Sequence, residues 1–186
     1  IEPCRWVTQS WDKLGITPHI FNAKWKIEEK GFEEKLSRAV SFVDSLLINH
    51  SPLSLIGNSA GASLALNIFA KRKKYISRVI VNCGRVREGD WPWFSFDQAT
   101  SKSISFRESV LFAQHYEKDF TTQDREKILT LRPLFDELVP PDTVAISGAI
   151  NLIVYSIEHS LSLYINFTLF RCRIVNFIFF YLNLFM

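Results

Sequence analysis

Three side chains far apart in the chain, Ser59, Asp136 and His159, are of the types that together break acyl bonds. A serine hydroxyl attacks a carbonyl only when a base takes its proton. The base needs a partner that fixes its tautomer, and the tetrahedral oxyanion needs donors. Ser59 lies in Gly57-Asn58-Ser59-Ala60-Gly61, between the apolar run of residues 53–56 and the helix-forming run of residues 62–66. Strand, sharp turn and helix is the order that holds a serine hydroxyl clear at the carboxyl end of a strand. Gly57 and Gly61 lack Cβ atoms, so the helix can lie close against its neighbours while the turn takes a strained φ. At the helix start, the free N–H of Ala60 is positioned to be one oxyanion donor. His159 directly follows an apolar run at residues 152–157 and is the candidate base. His19, His50 and His115 are weaker candidates: one sits inside an expected strand, one ends a helix, one lies on an insertion. Asp136 falls just beyond the apolar run at 128–135, where a carboxylate reaches the mouth of a sheet. Its rival Asp142 follows Pro140 and Pro141 and is expected to point into a loop. Each has an ordinary alternative: a turn serine, a packing histidine, a solvated loop carboxylate.

The elements that must position these groups follow from periodicity. Residues 5–14 suggest a helix with Trp6, Val7, Trp11 and Leu14 on its apolar side and Gly15 as its stop. Residues 17–23 read as a strand, and residues 24–30 as a charged surface loop. The spacing of Phe32, Leu36, Val40, Val43 and Leu47 predicts a helix over 32–48, with Glu33 and Glu34 suiting the dipole of its first turn. Strands are expected at 53–56, 78–83, 128–135 and 152–157, with Pro133 confining its strand to an edge or ending it early. Alternating strands and helices imply βαβ units and a mostly parallel sheet flanked by helices, an α/β fold. The pattern breaks at residues 85–127, which hold the aromatic run 91–96 and a helix near 106–116. These aromatics are either an acyl pocket or a satellite core under a long loop. Lys71-Arg72-Lys73-Lys74 reads as a solvated helix C-terminus rather than a phosphate patch.

Composition bounds the reading further. At 186 residues the chain can build one domain with a substantial core. A net charge of +3 is too small to make nucleic acid the main partner. Cys4, Cys83 and Cys172 are scattered, which argues against a disulfide framework or a zinc site and suits a reduced, cytoplasmic compartment. No leader is visible, so the sequons at Asn49 and Asn166 read as accidental. The tail, residues 164–186, is almost wholly Phe, Ile, Leu, Asn and Tyr. Arg171 and Arg173 interrupt it, which argues for a terminal helix with an ill-fitting apolar extension over a membrane anchor.

The Ser59 pentapeptide in its strand-to-helix context resembles an α/β-hydrolase, and the order Ser, Asp, His fits. The second part of the resemblance is Asp136-x-x-Val139-Pro140, then Gly148-Ala149-x-Asn151, then a strand ending at His159. These look like the acid and histidine loops of lipase-like members. The resemblance covers roughly residues 6–163. It implies a partial α/β-hydrolase domain over 1–163, with a cap insertion over the serine at about 85–127. It also implies a cofactor-free esterase or lipase-like serine hydrolase acting on a small acyl substrate, with no metal. The family's second oxyanion donor comes from a loop after an early strand, and none appears before Trp6. The contrasting expectation is therefore a catalytically impaired, truncated hydrolase-like binding module.

Overall fold

The computed structural model describes residues 8–25, 31–50 and 52–179. Its sheet has four parallel strands in the order β1-β2-β3-β4: Leu53–Asn58, Ile76–Asn82, Ile128–Pro133 and Ile150–Val154. Parallel neighbours need crossover connections. Helix α1, Phe32–Leu47, precedes the sheet, and α2, Gly61–Arg72, carries the chain from β1 to β2. Three helices, α3 Phe96–Thr100, α4 Ile104–Glu117 and α5 Thr122–Glu126, lie between β2 and β3. Helices α6, His159–Phe167, and α7, Arg171–Phe179, follow β4.

Side-chain alternation splits the strands between two apolar layers. Val79 and Val81 of β2 and Ile128 of β3 bury against Phe32, Leu36 and Val43 of α1, Leu66 and Phe69 of α2, and Ala113 of α4. Ile80 of β2 and Leu129 and Leu131 of β3 face the other way, onto Trp11, Phe167 of α6, and Ile174 and Phe177 of α7. Fully burying each such side chain is worth about 1.5–3 kcal/mol. A register shift between Leu53 and Ser54, which pair with Ile76 and Arg78, lets Ile76 share the first layer with Val79.

Several expectations need correction. Residues 17–23 form no strand. Phe21 packs on Phe42 of α1, and the Ala23 and Lys24 carbonyls accept from the Lys35 ammonium instead of from a neighbouring strand. The first expected helix is a 3₁₀ helix, Gln9–Leu14, stopped by Gly15 in the left-handed region; Trp6 and Val7 lie outside the described residues, as do residues 26–30 of the expected loop. Of the two outcomes expected for the third strand, the structure has the second: Pro133 ends it early, and the strand lies inside the sheet rather than at an edge. Pro133 is its last residue, where the missing N–H breaks no continuing ladder. The described part of the tail ends in the expected terminal helix, with Ile174 and Phe177 fully buried against the sheet; residues 180–186 of the expected apolar extension lie outside the described residues. No helix among the described residues is long and apolar enough to cross a membrane. The basic run at the end of α2 is locally engaged: Arg72 pairs with Asp44, Lys73 with Asp124, and Lys71 lies over Tyr116.

Candidate active site

Every candidate side chain sits just past the carboxyl end of a strand. Ser59 follows β1, Asp136 lies three residues beyond β3, and His159 opens α6 after β4. The chain turns from β1 into α2 within two residues, which forces Ser59 to φ 51°. A non-glycine residue held there costs on the order of 1–3 kcal/mol, so the surroundings must enforce it. They do: the Ser59 N–H donates to the Asn82 carbonyl at 2.9 Å, and the Ser59 carbonyl accepts from Ala62 N–H at 3.0 Å.

Glycine is sterically required at one of the two pentapeptide positions. A Cβ on Gly57 would lie 2.5 Å from the Gly61 carbonyl oxygen and 2.6 Å from Ala62 Cα, so the close approach of β1 and α2 requires glycine there. Gly61 has nothing within 4 Å of its would-be Cβ and is not sterically required. The second close approach involves Gly84, which the sequence reading passed over. A Cβ there would lie 2.1 Å from the Ser59 carbonyl oxygen and 2.3 Å from Ala62 Cβ.

Ser59, His159 and Asp136 come together in one line of hydrogen bonds. Ser59 Oγ is 2.8 Å from His159 Nε2, and His159 Nδ1 is 2.7 Å from Asp136 Oδ2. An ionised carboxylate can only accept, so Nδ1 carries the proton and Nε2 is left to accept from the serine hydroxyl. Asp136 and His159 are 3% and 4% exposed, so water does not compete for their bond. The other oxygen of Asp136, Oδ1, accepts from the N–H groups of Leu138 and Val139 at 2.9 Å each, which locks the carboxylate plane. The His159 N–H donates to Glu137 Oε2 at 3.0 Å. Glu158 caps α6 by accepting from Ser160 and Leu161 N–H, bonds that hold its carboxyl below the usual range.

The rival residues lie elsewhere. Asp142 is in the 3₁₀ turn Pro141–Thr143, where its backbone carbonyl accepts from Arg87. His19 and His50 pack on each other, tilted, at 5.4 Å between ring centroids, and His115 packs on Tyr116 in α4. The Ala60 N–H, at the N-cap of α2, has no intramolecular acceptor among the described residues. The stretch before Trp6, where the resemblance would place the loop of the second oxyanion donor, lies outside the described residues.

The insertion is joined to the serine-bearing helix by buried polar contacts. Ser63 Oγ and Ser109 Oγ are 2.8 Å apart, and Asn67 Nδ2 donates to the Ser109 carbonyl at 2.9 Å. The expected aromatic group is a stack beside Asp136. Trp91 and Trp93 lie 4.5 Å apart, and Phe135 packs on both. Cys83, at the end of the expected strand 78–83, directly follows β2 beside the site. Burial, and then the charge of Asp136, pushes its thiol up to about 12.

No protein-family model and no curated protein matches the chain. Solved structures do. One of two metagenome-derived lipolytic enzymes superposes with a TM-score of 0.61 at 11% identity, over 94% of this chain and 85% of that one. A monoacylglycerol lipase of Paleococcus ferrophilus gives 0.54 at 14% identity, over 83% and 79%. A meta-cleavage product hydrolase of Pseudomonas fluorescens gives 0.51 at 13% identity, over 87% and 74%. The chain has the α/β-hydrolase fold, in part, with four of its strands in one parallel sheet.

Proposed function

We propose that the protein is a serine hydrolase that cleaves a carboxylic ester or related acyl bond of a small substrate through a Ser59 acyl-enzyme. The observation that carries this reading is the 2.8 Å contact between Ser59 Oγ and His159 Nε2, made on a strained strand-to-helix turn. Ser59 Oγ attacks the acyl carbonyl carbon as its proton passes to Nε2. The imidazolium is held by Asp136, and the oxyanion receives the Ala60 N–H. Collapse of the intermediate breaks the bond to the leaving group, which takes the proton from Nε2. Water then enters, gives its proton to Nε2, and attacks the acyl carbon. The second collapse returns that proton to Ser59 and releases the acid. The chemistry needs no cofactor.

Intact mass after treatment with a fluorophosphonate probe tests the assignment. Wild type is expected to gain one phosphonyl group and Ser59→Ala none, with unchanged far-UV circular dichroism. A folded wild type that neither reacts with the probe nor turns over a short p-nitrophenyl ester would overturn the reading in favour of a non-catalytic, hydrolase-like binding module.

A further inference from the structure

We propose that Asn166 is a positioning residue, which acts through Asn82 to register the helix that begins with His159 against the turn that carries Ser59. Its effect on turnover rests on the hydrolase reading; its effect on geometry does not. Asn166 Nδ2 donates to Asn82 Oδ1 at 2.6 Å and approaches Cys83 Sγ at 3.4 Å. Asn82 in turn grips the serine turn twice. Its Nδ2 donates to Oδ1 of Asn58, the residue before Ser59, at 2.7 Å, and its backbone carbonyl accepts the Ser59 N–H at 2.9 Å. One strand-end residue thus holds both the nucleophile's backbone and the helix of the base.

Helix geometry makes this link matter. His159 and Asn166 stand seven residues apart in α6, about two turns, so they share one face of a rigid rod. The His159 end is held by Asp136 and Glu137, and the Asn166 end by Asn82. Apolar packing around Phe167 holds α6 against the sheet and opposes a small slide through shape alone, without a directional bond. A directional hydrogen bond adds to that resistance, and a slide of α6 moves Nε2 relative to Ser59 Oγ by the same amount.

Stability alone does not call for asparagine here. Asn82 and Asn166 are fully buried, and Asn166 Oδ1 has no partner among the described residues. An orphaned buried acceptor carries a desolvation cost, whereas an apolar side chain of similar size would not. A polar group kept at such a cost fits a role in fixing register.

Asn166→Leu tests this in the full chain. The expected result is a kcat for a short p-nitrophenyl ester lower by about 10²-fold, with KM unchanged, and a melting temperature unchanged or higher. A merely structural role would lower the melting temperature and leave the folded enzyme's kcat in place. If Asn166→Leu does not fold, Asn166→Ser, too short to reach Asn82 Oδ1, replaces it. An activity-free readout runs alongside, in protein carrying ¹⁵N-histidine. The His159 Nε2 resonance, assigned by its loss in His159→Gln, should move in the Asn166 variant to its position in Ser59→Ala. A resonance that stays at the wild-type position overturns the proposal, whatever the turnover. A wild type without turnover whose resonance nonetheless moves keeps the positioning role and overturns the hydrolase reading.

Discussion

Ser59 and Cys83 occupy nearly the same backbone situation but sit in opposite chemical surroundings. Both end adjacent parallel strands, and both are non-glycine residues at positive φ, 51° and 50°. Each gives its N–H to the last rung toward the next strand, Ser59 to the Asn82 carbonyl at 2.9 Å and Cys83 to the Leu131 carbonyl at 2.8 Å. The sulfur atom is intrinsically the better nucleophile. Yet Ser59 is half-buried, with a histidine nitrogen 2.8 Å from its oxygen, while Cys83 is fully buried among carboxamides near a carboxylate. Only the thiolate reacts, and burial together with Asp136 keeps the thiol protonated. A strained turn at a strand end therefore presents a side chain; its neighbours decide whether that side chain can react.

The widest break in this comparison is expected from alanine at the two turns. Ser59→Ala should lower ester turnover by about 10⁵–10⁶-fold, whereas Cys83→Ala should leave kcat within about threefold. Turnover surviving in Ser59→Ala and lost in Cys83→Ala would invert the roles.

Next in size is the carboxylate that separates the two turns chemically. Asp136→Asn leaves the shape intact but lets His159 take the wrong tautomer, and kcat should fall by about 10⁴-fold. Asp142→Asn should leave kcat within about twofold, because the Asp142 side chain makes no hydrogen bond among the described residues, and its contact with Arg87 runs through the backbone carbonyl. Equal losses in both variants, measured by steady-state kinetics, would remove the distinction.

The packing between the turns gives a third test. Gly84→Ala drives a Cβ into the Ser59 carbonyl and Ala62, so it should cost about 1–3 kcal/mol in denaturant unfolding and disturb turnover as well. Gly61→Ala meets open space at the first position of α2 and should gain about 0.4–1 kcal/mol. A tolerated Gly84→Ala would show that the two turns do not press on each other.

The last effect is a slope, confined to alkaline pH. The folded state keeps the Cys83 proton up to about 12, while the unfolded chain releases it above the ordinary value of 9.0. The stabilisation is complete below pH 9.0 and is lost as pH rises toward 12, by at most about 1.4 kcal/mol per pH unit. Cys83→Ala should flatten that limb relative to wild type in urea titrations. In the same protein at pH 8, iodoacetamide should modify the exposed Cys172 and spare Cys83, read by peptide mass mapping.

Local pattern alone made much of this molecule legible. Ser59 between an apolar run and a helix-forming run determines a strand-to-helix turn. The stripe from Phe32 to Leu47 determines α1, and alternating strands and helices determine a parallel sheet. These features rest on neighbours within a few residues, where periodicity and glycine placement act directly. Tertiary structure decided the rest. Residues 17–23 have strand composition but form no strand; Phe21 packs on Phe42 of α1, and the Ala23 carbonyl at their end accepts from Lys35 of α1. Gly84 matters only because the β2 end presses on the Ser59 turn, 25 residues earlier in the chain. Asn58, Asn82 and Asn166 form one ladder although nothing in their spacing links them. The sequence favoured Asp136 over Asp142 by its place just beyond an apolar run, but only the fold of the loop after β3 brings its carboxylate to the His159 ring, 2.7 Å away.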